Sequence, residues 1–283
     1  MRYVIVDCGS VGLELARQWI QQGHQVTGTT PDPELVGRIE AVGADAVLLD
    51  HGDGDGVREV VRDADGAVLA TRPPPQFTRP VREQVVTYRK TMIGAVRAAA
   101  SVQRRLVLFS SIAVYGDGGP GDGPVTEETP VTTALDPAAQ SFAAVERMVR
   151  QSREATVLRL PELVTGHPDE PDPATLLRRL RDEVGEELPF DDSALVHTID
   201  YRDAAAAVAF VWEQGLAGVY NAVPDHVPPP TVAAFLGKLA ADAGLPPFSF
   251  AGGHPTLRRP VSSARLRGAG FRFRFSEGAE PGS

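Results

Sequence analysis

The sequence predicts an α/β protein in which a doubly wound parallel sheet is followed by a small C-terminal lobe. Short apolar segments rich in β-branched residues recur along the chain, and each is typical of a strand buried on both faces. Segments with helical apolar spacing lie between them, and this alternation is the signature of parallel strands joined by crossover helices. The first strand and the first helix are joined by a glycine turn, residues 9–12.

The predicted strands are recognised by their β-branched, apolar composition and by the turn residues on either side of them. In chain order they cover residues 3–8, 25–30, 46–49, 66–70, 106–109, 155–160, 195–199 and 219–221. The predicted helices have apolar residues three and four positions apart and cover 13–20, 33–41, 57–62, 80–102, 138–153, 175–184, 202–213, 231–243 and the short segment 262–267. Pro33 suits the first turn of its helix, and Gly43 ends that helix.

The composition excludes several classes of function. The net charge of −9 argues against nucleic acid as a partner, because phosphate binding needs a basic surface. Cys8 is the single cysteine, which excludes an internal disulfide, and no His, Asp or Glu cluster has metal-ligand spacing. We recognise no signal peptide and no long apolar span, so we expect a cytoplasmic protein without a membrane partner.

The turn after the first strand predicts a site for a nucleotide phosphate. Gly9 lets a phosphate approach bare backbone, and Gly12 lets the helix pack closely on the strand. Ser10 and Val11 begin the helix, whose unpaired N–H groups and positive dipole end favour an anion. Asp7 replaces the first glycine of the Gly-x-Gly-x-x-Gly dinucleotide pattern. The alternative is that these glycines only make a tight strand–helix turn.

Small and polar residues also follow the other predicted strands. Because the carboxyl ends of parallel strands meet at one edge of a sheet, we expect a crevice there to bind a dinucleotide. The candidate cofactor-binding residues at this edge are Gly9, Ser10, Val11, Gly12, Thr29, Thr30, Asp50, Ala70, Thr71 and Arg72.

The end of the second strand bears on the choice between NAD and NADP. NAD sites usually place Asp or Glu there, on the ribose hydroxyls, and this chain has Thr30. Thr29 and Thr30 could bond a 2′-phosphate, and the loss of the acid removes a repulsive charge. We therefore expect NADP or NAD as the cofactor, with a slight preference for NADP.

Two Pro- and Gly-rich segments, 116–137 and 161–173, divide the chain. The first is long for a connection, which favours a lid or a site loop. We expect a nucleotide-binding domain of residues 1–160 plus 195–221 and a substrate-binding lobe of residues 161–194 plus 222–275. Residues 276–283 have no apolar periodicity and are expected to be disordered.

Residues 109–116, Phe-Ser-Ser-Ile-Ala-Val-Tyr-Gly, resemble a segment of the extended short-chain dehydrogenases/reductases, the NAD-dependent epimerase/dehydratase family. Segments 125–130, 158–161, 199–204, 218–221 and 264–271 resemble further family segments in the same order. The resemblance covers nearly the whole chain. It implies a Rossmann-like NAD(P)-binding domain, a small-molecule substrate, an adenine contact for Asp50 and a homodimer packed through helices 80–102 and 138–153.

The chain departs from this family at its catalytic pair, Tyr-x-x-x-Lys, in which the tyrosine is the general acid/base and the lysine lowers its pKa. Aligning Glu146 with the family's glutamate puts Ala138 at the tyrosine position and Phe142 at the lysine position. No Tyr-x-x-x-Lys occurs anywhere in the sequence. Ser111 matches the family's catalytic serine, and Tyr115 is a candidate replacement acid.

The remaining candidate acids are His167, in a proline-rich loop, and the substrate's own hydroxyl or a water molecule. His197 and Asp203 are interpreted as structural residues, with Asp203 as a cap of the helix that follows it. Three hypotheses of function remain open. The protein is an atypical NAD(P)-dependent oxidoreductase or epimerase, a non-redox isomerase, lyase or cyclase on the same fold, or a non-catalytic nucleotide sensor or partner protein.

Overall fold

A computed structural model describes residues 1–71, 81–132, 136–161, 163–168, 172–253 and 256–276. Its central element is a seven-stranded sheet in which every pairing is parallel. The strands are β1 (Arg2–Val6), β2 (Gln25–Thr30), β3 (Asp45–Leu48), β4 (Gly66–Leu69), β5 (Leu106–Ser111), β6 (Thr156–Leu160) and, late in the chain, β10 (Gly218–Asn221). They lie in the order β3-β2-β1-β4-β5-β6-β10, which confirms the predicted doubly wound sheet.

Helices cover both faces of this sheet. They are α1 (Ser10–Gln21), α2 (Pro33–Ala41), α3 (Gly54–Arg62), α4 (Val81–Tyr88), α5 (Gly94–Val102), α6 (Pro137–Val149), α7 (Pro173–Val184), α8 (Tyr201–Glu213), α9 (Val232–Asp242) and α10 (Ala264–Gly268). Apolar residues of α1 and α8 pack on one face, and those of α3, α5 and α6 pack on the other. The strands are buried on both sides, which is why they are apolar without alternation.

The predicted helix 80–102 is divided in the structure. A π-helical turn, Arg89–Ile93, separates α4 from α5. Thr87 and Thr91 donate their hydroxyls to backbone carbonyls one turn earlier, those of Glu83 and Thr87, a bonding pattern that often bends helices. The apolar spacing of the segment predicts a helix but not this local change of pitch.

The predicted strand 195–199 does not join the central sheet. Thr198–Asp200 forms β9, which pairs with β7, Leu163–Thr165, in a separate two-stranded sheet. Leu195 and Val196 instead donate their amides to the carbonyls of Leu257 and Pro230. An extended apolar segment indicates a strand, but its composition does not say which partner it will find.

A smaller core lies apart from the main sheet. The short strands β8 (Glu187–Leu188) and β11 (Ser249–Phe250) pair with each other. The buried residues of this core, which joins α7, α9 and the two strands, are Leu177, Leu188, Ala240 and Phe248. They lie in the segments that the sequence assigns to the substrate-binding lobe.

The Gly- and Pro-rich loop and the start of the C-terminal tail are both held by hydrogen bonds. Arg259 holds the Gly- and Pro-rich loop by donating to the carbonyls of Gly118, Pro120 and Gly123, at 2.7–2.9 Å. Ser276, the first residue of the tail expected to be disordered, is bonded: its hydroxyl accepts from the amide of Asp200 at 2.8 Å. Residues 277–283 lie outside the described part of the chain.

No helix that the structure describes is long and apolar enough to span a membrane.

Candidate functional site

The candidate site is built at the carboxyl edge of the central sheet, where β1 turns into α1. Gly9 is the N-cap of α1, and no side chain caps the first turn of this helix. By contrast, the carboxylates of Asp32, Asp53 and Asp136 cap α2, α3 and α6. The backbone amides at the start of α1 are therefore left to an external acceptor, as in phosphate-binding turns.

The two glycines of the turn differ in their surroundings. A Cβ built on Gly9 would meet no atom within 4 Å, so the backbone is open to an approaching group. A Cβ on Gly12 would lie 3.1 Å from both Cys8 Sγ and Ile5 Cγ2, so this glycine allows close packing of α1 on β1. These are the two roles that the sequence assigns to Gly9 and Gly12. Ser10 and Val11 form the first turn between them.

Asp7 takes over the backbone conformation of the glycine that it replaces. Its φ is 69°, and it is the non-glycine residue with positive φ in the described part of the chain. Aspartate tolerates this left-handed region better than most residues. The amide of Asp7 donates to Thr29 Oγ1 at 3.2 Å, which ties the turn to β2. The turn thus keeps the geometry of the dinucleotide pattern although its sequence has lost one glycine.

The two candidate threonines of β2 are fully buried. Thr29 Oγ1 accepts from Asp7, and Thr30 Oγ1 accepts from the amide of Asp32 at 3.1 Å. Both hydroxyls therefore stabilise the turns that begin at the carboxyl edge. This placement lends no support to the expectation that they bind a 2′-phosphate.

Asp50 follows β3 at the same edge and is exposed. Its Oδ1 accepts from the amide of Gly52 at 2.7 Å, and its Oδ2 lies 3.6 Å from Lys90 Nζ. The Gly52 hydrogen bond, assisted by the charge of Lys90, holds the pKa of Asp50 below its usual value. Asp50 therefore presents an ionised acceptor at the crevice.

Two buried polar atoms near this edge have no hydrogen-bond partner among the described residues: His51 Nε2 and Thr71 Oγ1. Thr71 follows β4, next to the half-buried Ala70, whose amide donates to Val6 O at 3.0 Å. Unpaired buried polar groups are rare and call for a ligand or a water molecule. They fit a dinucleotide lying across the edge. Arg72, the remaining candidate, lies outside the described residues.

The candidate catalytic serine, Ser111, ends β5 and is buried. Its Oγ accepts from the amide of Ala113 at 2.9 Å and so caps the short 3₁₀ helix Ile112–Tyr115. Ser111 therefore lies on the predicted edge, two strands away from the glycine turn.

Tyr115, the candidate replacement acid, belongs to a buried hydrogen-bonded network. Its hydroxyl donates to Asn221 Oδ1 at 2.7 Å and accepts from Arg159 Nη1 at 2.8 Å. Burial raises the pKa of this hydroxyl, although Arg159 opposes the shift. A hydroxyl with both partners inside the protein is poorly placed to exchange a proton with a substrate. The geometry favours a structural role for Tyr115 over the expected catalytic one.

The charged centre of the network is Arg159 with Glu146, both almost fully buried. Arg159 donates to the two carboxylate oxygens of Glu146 at 2.9 and 2.7 Å, and Ser110 Oγ donates to the same carboxylate at 2.6 Å. Burial alone would lower the pKa of Arg159, but the hydrogen bonds and charge of Glu146 raise it. This pair ties α6 to β5 and β6. The sequence offered one signal for it, an arginine inside the apolar run 157–160.

The residues at the expected positions of the catalytic pair lie on α6. Ala138 is half-buried in its first turn and Phe142 is buried. Neither side chain can transfer a proton. The buried acid nearest to them in sequence, Glu146, is already paired with Arg159.

The structure corrects the interpretation of Asp203. Asp200 caps α8 by accepting from the amide of Arg202, whereas Asp203 accepts from the amides of Arg274, Phe275 and Ser276 at 2.7–3.0 Å. Asp203 therefore fastens the C-terminal segment to α8, a contact that sequence spacing cannot reveal.

The candidate acid His167 and the structural His197 have different surroundings. The ring of His167 packs edge-on against Tyr201, with the ring centres 5.0 Å apart. His197 is buried, and its Nε2 accepts from the amide of Val261 at 3.2 Å. Burial lowers the pKa of His197 to about 4, so the ring is neutral at physiological pH.

Two cavities, of about 210 and 380 Å³, open at the opposite, amino-terminal edge of the sheet. The described residues that line them include none of the candidate site residues. We place the site at the carboxyl edge because ligands of open parallel sheets bind where the strand order reverses, here between β1 and β4.

Among the described residues, no cluster of His, Cys, Asp and Glu could hold a metal ion.

Comparison with known proteins identifies the family and the fold of the chain. The model of an NAD(P)H-binding family matches residues 8–229, most of the chain. An uncharacterized protein of Schizosaccharomyces pombe is 22% identical over 272 residues, which cover 92% of this chain and 90% of the relative.

Solved structures share the whole architecture. The Thermus thermophilus UDP-glucose 4-epimerase in complex with NAD has a TM-score of 0.73 and 22% identity, over 97% of this chain and 94% of its own. The Bordetella bronchiseptica enzyme WbmH in complex with NAD+ has a TM-score of 0.72 and 19% identity, over 96% and 93%. At these identities the likeness shows the fold, and it confirms the resemblance seen in the sequence. The chain therefore belongs to the NAD(P)H-binding family and is an atypical member with the fold of the extended short-chain dehydrogenases/reductases.

Proposed function

We propose that this protein is an epimerase/dehydratase-like oxidoreductase that acts on a small-molecule carbonyl or hydroxyl compound without the Tyr-x-x-x-Lys pair. The observation that carries the proposal is the open turn at Gly9, with an uncapped helix α1 behind it. A dinucleotide pyrophosphate is the ligand that this arrangement suits best.

In this proposal the two ends of the dinucleotide lie on opposite sides of the glycine turn. With the pyrophosphate at the start of α1, the adenosine extends towards β2 and β3, and the nicotinamide extends towards β4 and β5. Thr71 follows β4 and Ser111 ends β5, so both would face the reacting end. When bound, the nicotinamide supplies hydride transfer. Ser111 would orient the substrate oxygen by a hydrogen bond.

The proton in this proposal comes from a group other than the family's tyrosine. Tyr115 is held by Arg159 and Asn221, and Ala138 and Phe142 have no proton to give. His167 and the substrate's own hydroxyl or a water molecule remain as donors. Chemistry that needs only weak acid assistance, such as reduction of an activated carbonyl, fits this site best.

The proposal is tested first by calorimetric titration of the purified protein with NAD+, NADH, NADP+ and NADPH. Micromolar binding of at least one nucleotide is expected. A panel of small carbonyl compounds is then offered with the reduced form that binds, and the loss of its near-ultraviolet absorbance is followed. Failure of all four nucleotides to bind contradicts the proposal.

Ser111→Ala tests the active-site part of the proposal. Any activity found should fall at least about tenfold, roughly 1.4 kcal/mol of barrier, while nucleotide affinity stays unchanged. Ser152→Ala is the matched control, because Ser152 lies at the far edge of the sheet, where its hydroxyl bonds Arg104 O at 2.8 Å. Full activity of Ser111→Ala would remove this serine from the site.

The enclosure of the Tyr115 hydroxyl between Arg159 and Asn221 favours a second candidate function, a nucleotide sensor that binds NAD(P) without turnover. In a sensor, the former lysine position could serve core packing, as the buried Phe142 does, and Tyr115 could remain in its buried network. The two candidates differ in one result. A sensor binds nucleotide but oxidises no reduced nucleotide with any member of the carbonyl panel.

A further inference from the structure

The adenosine end of the crevice holds a carboxylate at a position where dinucleotide sites have a glycine. Asp7 follows β1, and its Oδ2 lies 4.0 Å from Nδ1 of His51, which follows β3. β2 lies between these two strands. Since neighbouring strands are about 4.8 Å apart, β1 and β3 are separated by roughly 10 Å. The carboxylate and the imidazole therefore meet across the carboxyl end of β2.

The carboxyl end of β2 is the place from which the acid of an NAD site reaches the ribose hydroxyls. Thr30 stands there in this chain, and its hydroxyl accepts from the amide of Asp32. The acid is missing from β2, but a carboxylate from the neighbouring strand covers the same place. The side chain of Asp7 is 30% exposed, so it remains accessible to a ligand.

Further carboxylates follow the neighbouring strands at this place. Asp32 follows β2 and Asp50 follows β3, and both are exposed. Lys90 is the cation beside Asp50, at 3.6 Å. A 2′-phosphate carries about two negative charges at neutral pH and would meet Asp7 with repulsion, whereas ribose hydroxyls can donate to it.

His51 gives independent evidence that a ligand belongs here. The residue is only 5% exposed, yet its Nε2 has no hydrogen-bond partner among the described residues. The other ring nitrogen faces Asp7, at a distance within range for charge pairing but too long for a hydrogen bond. The Nε2 atom of this buried imidazole would gain a hydrogen-bond partner if a polar ligand lay across the edge of the sheet.

We infer that Asp7 is the ribose-binding acid of this protein and that it selects NAD over NADP. The inference rests on the proposed function, which places a dinucleotide at this edge. It reverses the slight preference for NADP expected from Thr29 and Thr30, because that expectation did not include a ribose contact by Asp7.

The test is a calorimetric comparison of NAD+ and NADP+ binding to the whole protein and to three variants. Asp7→Asn removes the charge and keeps a residue that accepts positive φ. Asp7→Gly removes the side chain and relieves the left-handed strain, so the variant should fold at least as stably as the parent. Asp242→Asn is the matched control: it removes the same charge from α9, where Asp242 pairs with Lys238.

We expect the unmodified protein to bind NAD+ at least about tenfold more tightly than NADP+. Asp7→Asn and Asp7→Gly should each reduce this ratio by at least about fivefold, and Asp242→Asn should leave it unchanged. Equal or tighter binding of NADP+, or an unchanged ratio in both Asp7 variants, overturns the inference but leaves the proposed function standing. Absence of binding by either nucleotide overturns the proposed function and the inference with it.

Discussion

Replacing Gly9 by valine should weaken nucleotide binding while leaving the stability of the fold nearly unchanged. The φ and ψ of Gly9 are −81° and −157°, an extended conformation whose negative φ does not require glycine. A Cβ there meets no atom within 4 Å, so the stability should change by no more than about 0.5–1 kcal/mol. The isopropyl group would occupy the space through which a pyrophosphate reaches the amides of α1.

The loss of affinity follows from the hydrogen bonds at stake. A hydrogen bond from a backbone amide to a charged phosphate contributes about 1.5–3 kcal/mol. Losing one or two of them should weaken nucleotide binding by at least about tenfold to a hundredfold. Calorimetry with the preferred nucleotide measures the affinity, and thermal unfolding without nucleotide measures the stability.

Gly237→Val in α9 is the matched control, because a Cβ on Gly237 also meets no atom within 4 Å and lies outside the crevice. This variant should bind nucleotide normally. Unchanged affinity in Gly9→Val, with normal folding, would refute the placement of the pyrophosphate at this turn.

Three further predictions concern buried groups. Glu146→Gln leaves the Arg159 charge unpaired inside the protein and should lower the free energy of unfolding, measured by urea denaturation, by about 3–5 kcal/mol. Glu183→Gln, on the surface, is the control and should change the free energy of unfolding by less than about 1 kcal/mol. Equally small effects of the two variants would contradict a stabilising role for the buried pair. His197 has a pKa of about 4 in the folded state, below its usual 6.5, so the unfolded state binds the extra proton and stability should fall as the pH falls from about 6.5 to 4. His197→Gln should remove that part of the pH dependence, and an unaltered pH profile would contradict it. Burial, with the charge of Asp7, raises the pKa of Cys8 to about 12. Thiol reagents should therefore label this cysteine at pH 8 only after the protein is denatured. Rapid labelling of the folded protein would contradict this prediction, because it would show that the thiol is accessible.

The parallel sheet could be read from the sequence because its signals are local. The strands are apolar runs, since they are buried on both faces, and their boundaries fall near glycine, proline and aspartate. The bounds of β2, Gln25–Thr30, agree with the prediction at every residue, and α2, Pro33–Ala41, ends at the predicted residue. The glycine turn was recognisable because close packing at Gly12, and the approach of a phosphate to bare backbone at Gly9, each favour a residue without a side chain.

The candidate site was less predictable because it depends on contacts between distant residues. Tyr115 was selected for its chemistry, but its partners Arg159 and Asn221 lie on β6 and β10 and meet it only in the fold. Likewise, Asp203 accepts hydrogen bonds from residues more than 70 positions away, and this is why the prediction that it caps the helix was wrong.

The sequence by itself determined the fold class, the order of most strands and helices along the chain and the glycine turn, since each follows from the size, polarity and backbone freedom of neighbouring residues. The tertiary structure alone decided what each polar side chain does. It placed Asp7 across the end of β2 from His51, enclosed Tyr115 in a charged network and left β9 outside the main sheet. The physical reason is that a polar atom's role depends on which partners and how much water surround it, and that is known only when the chain has folded.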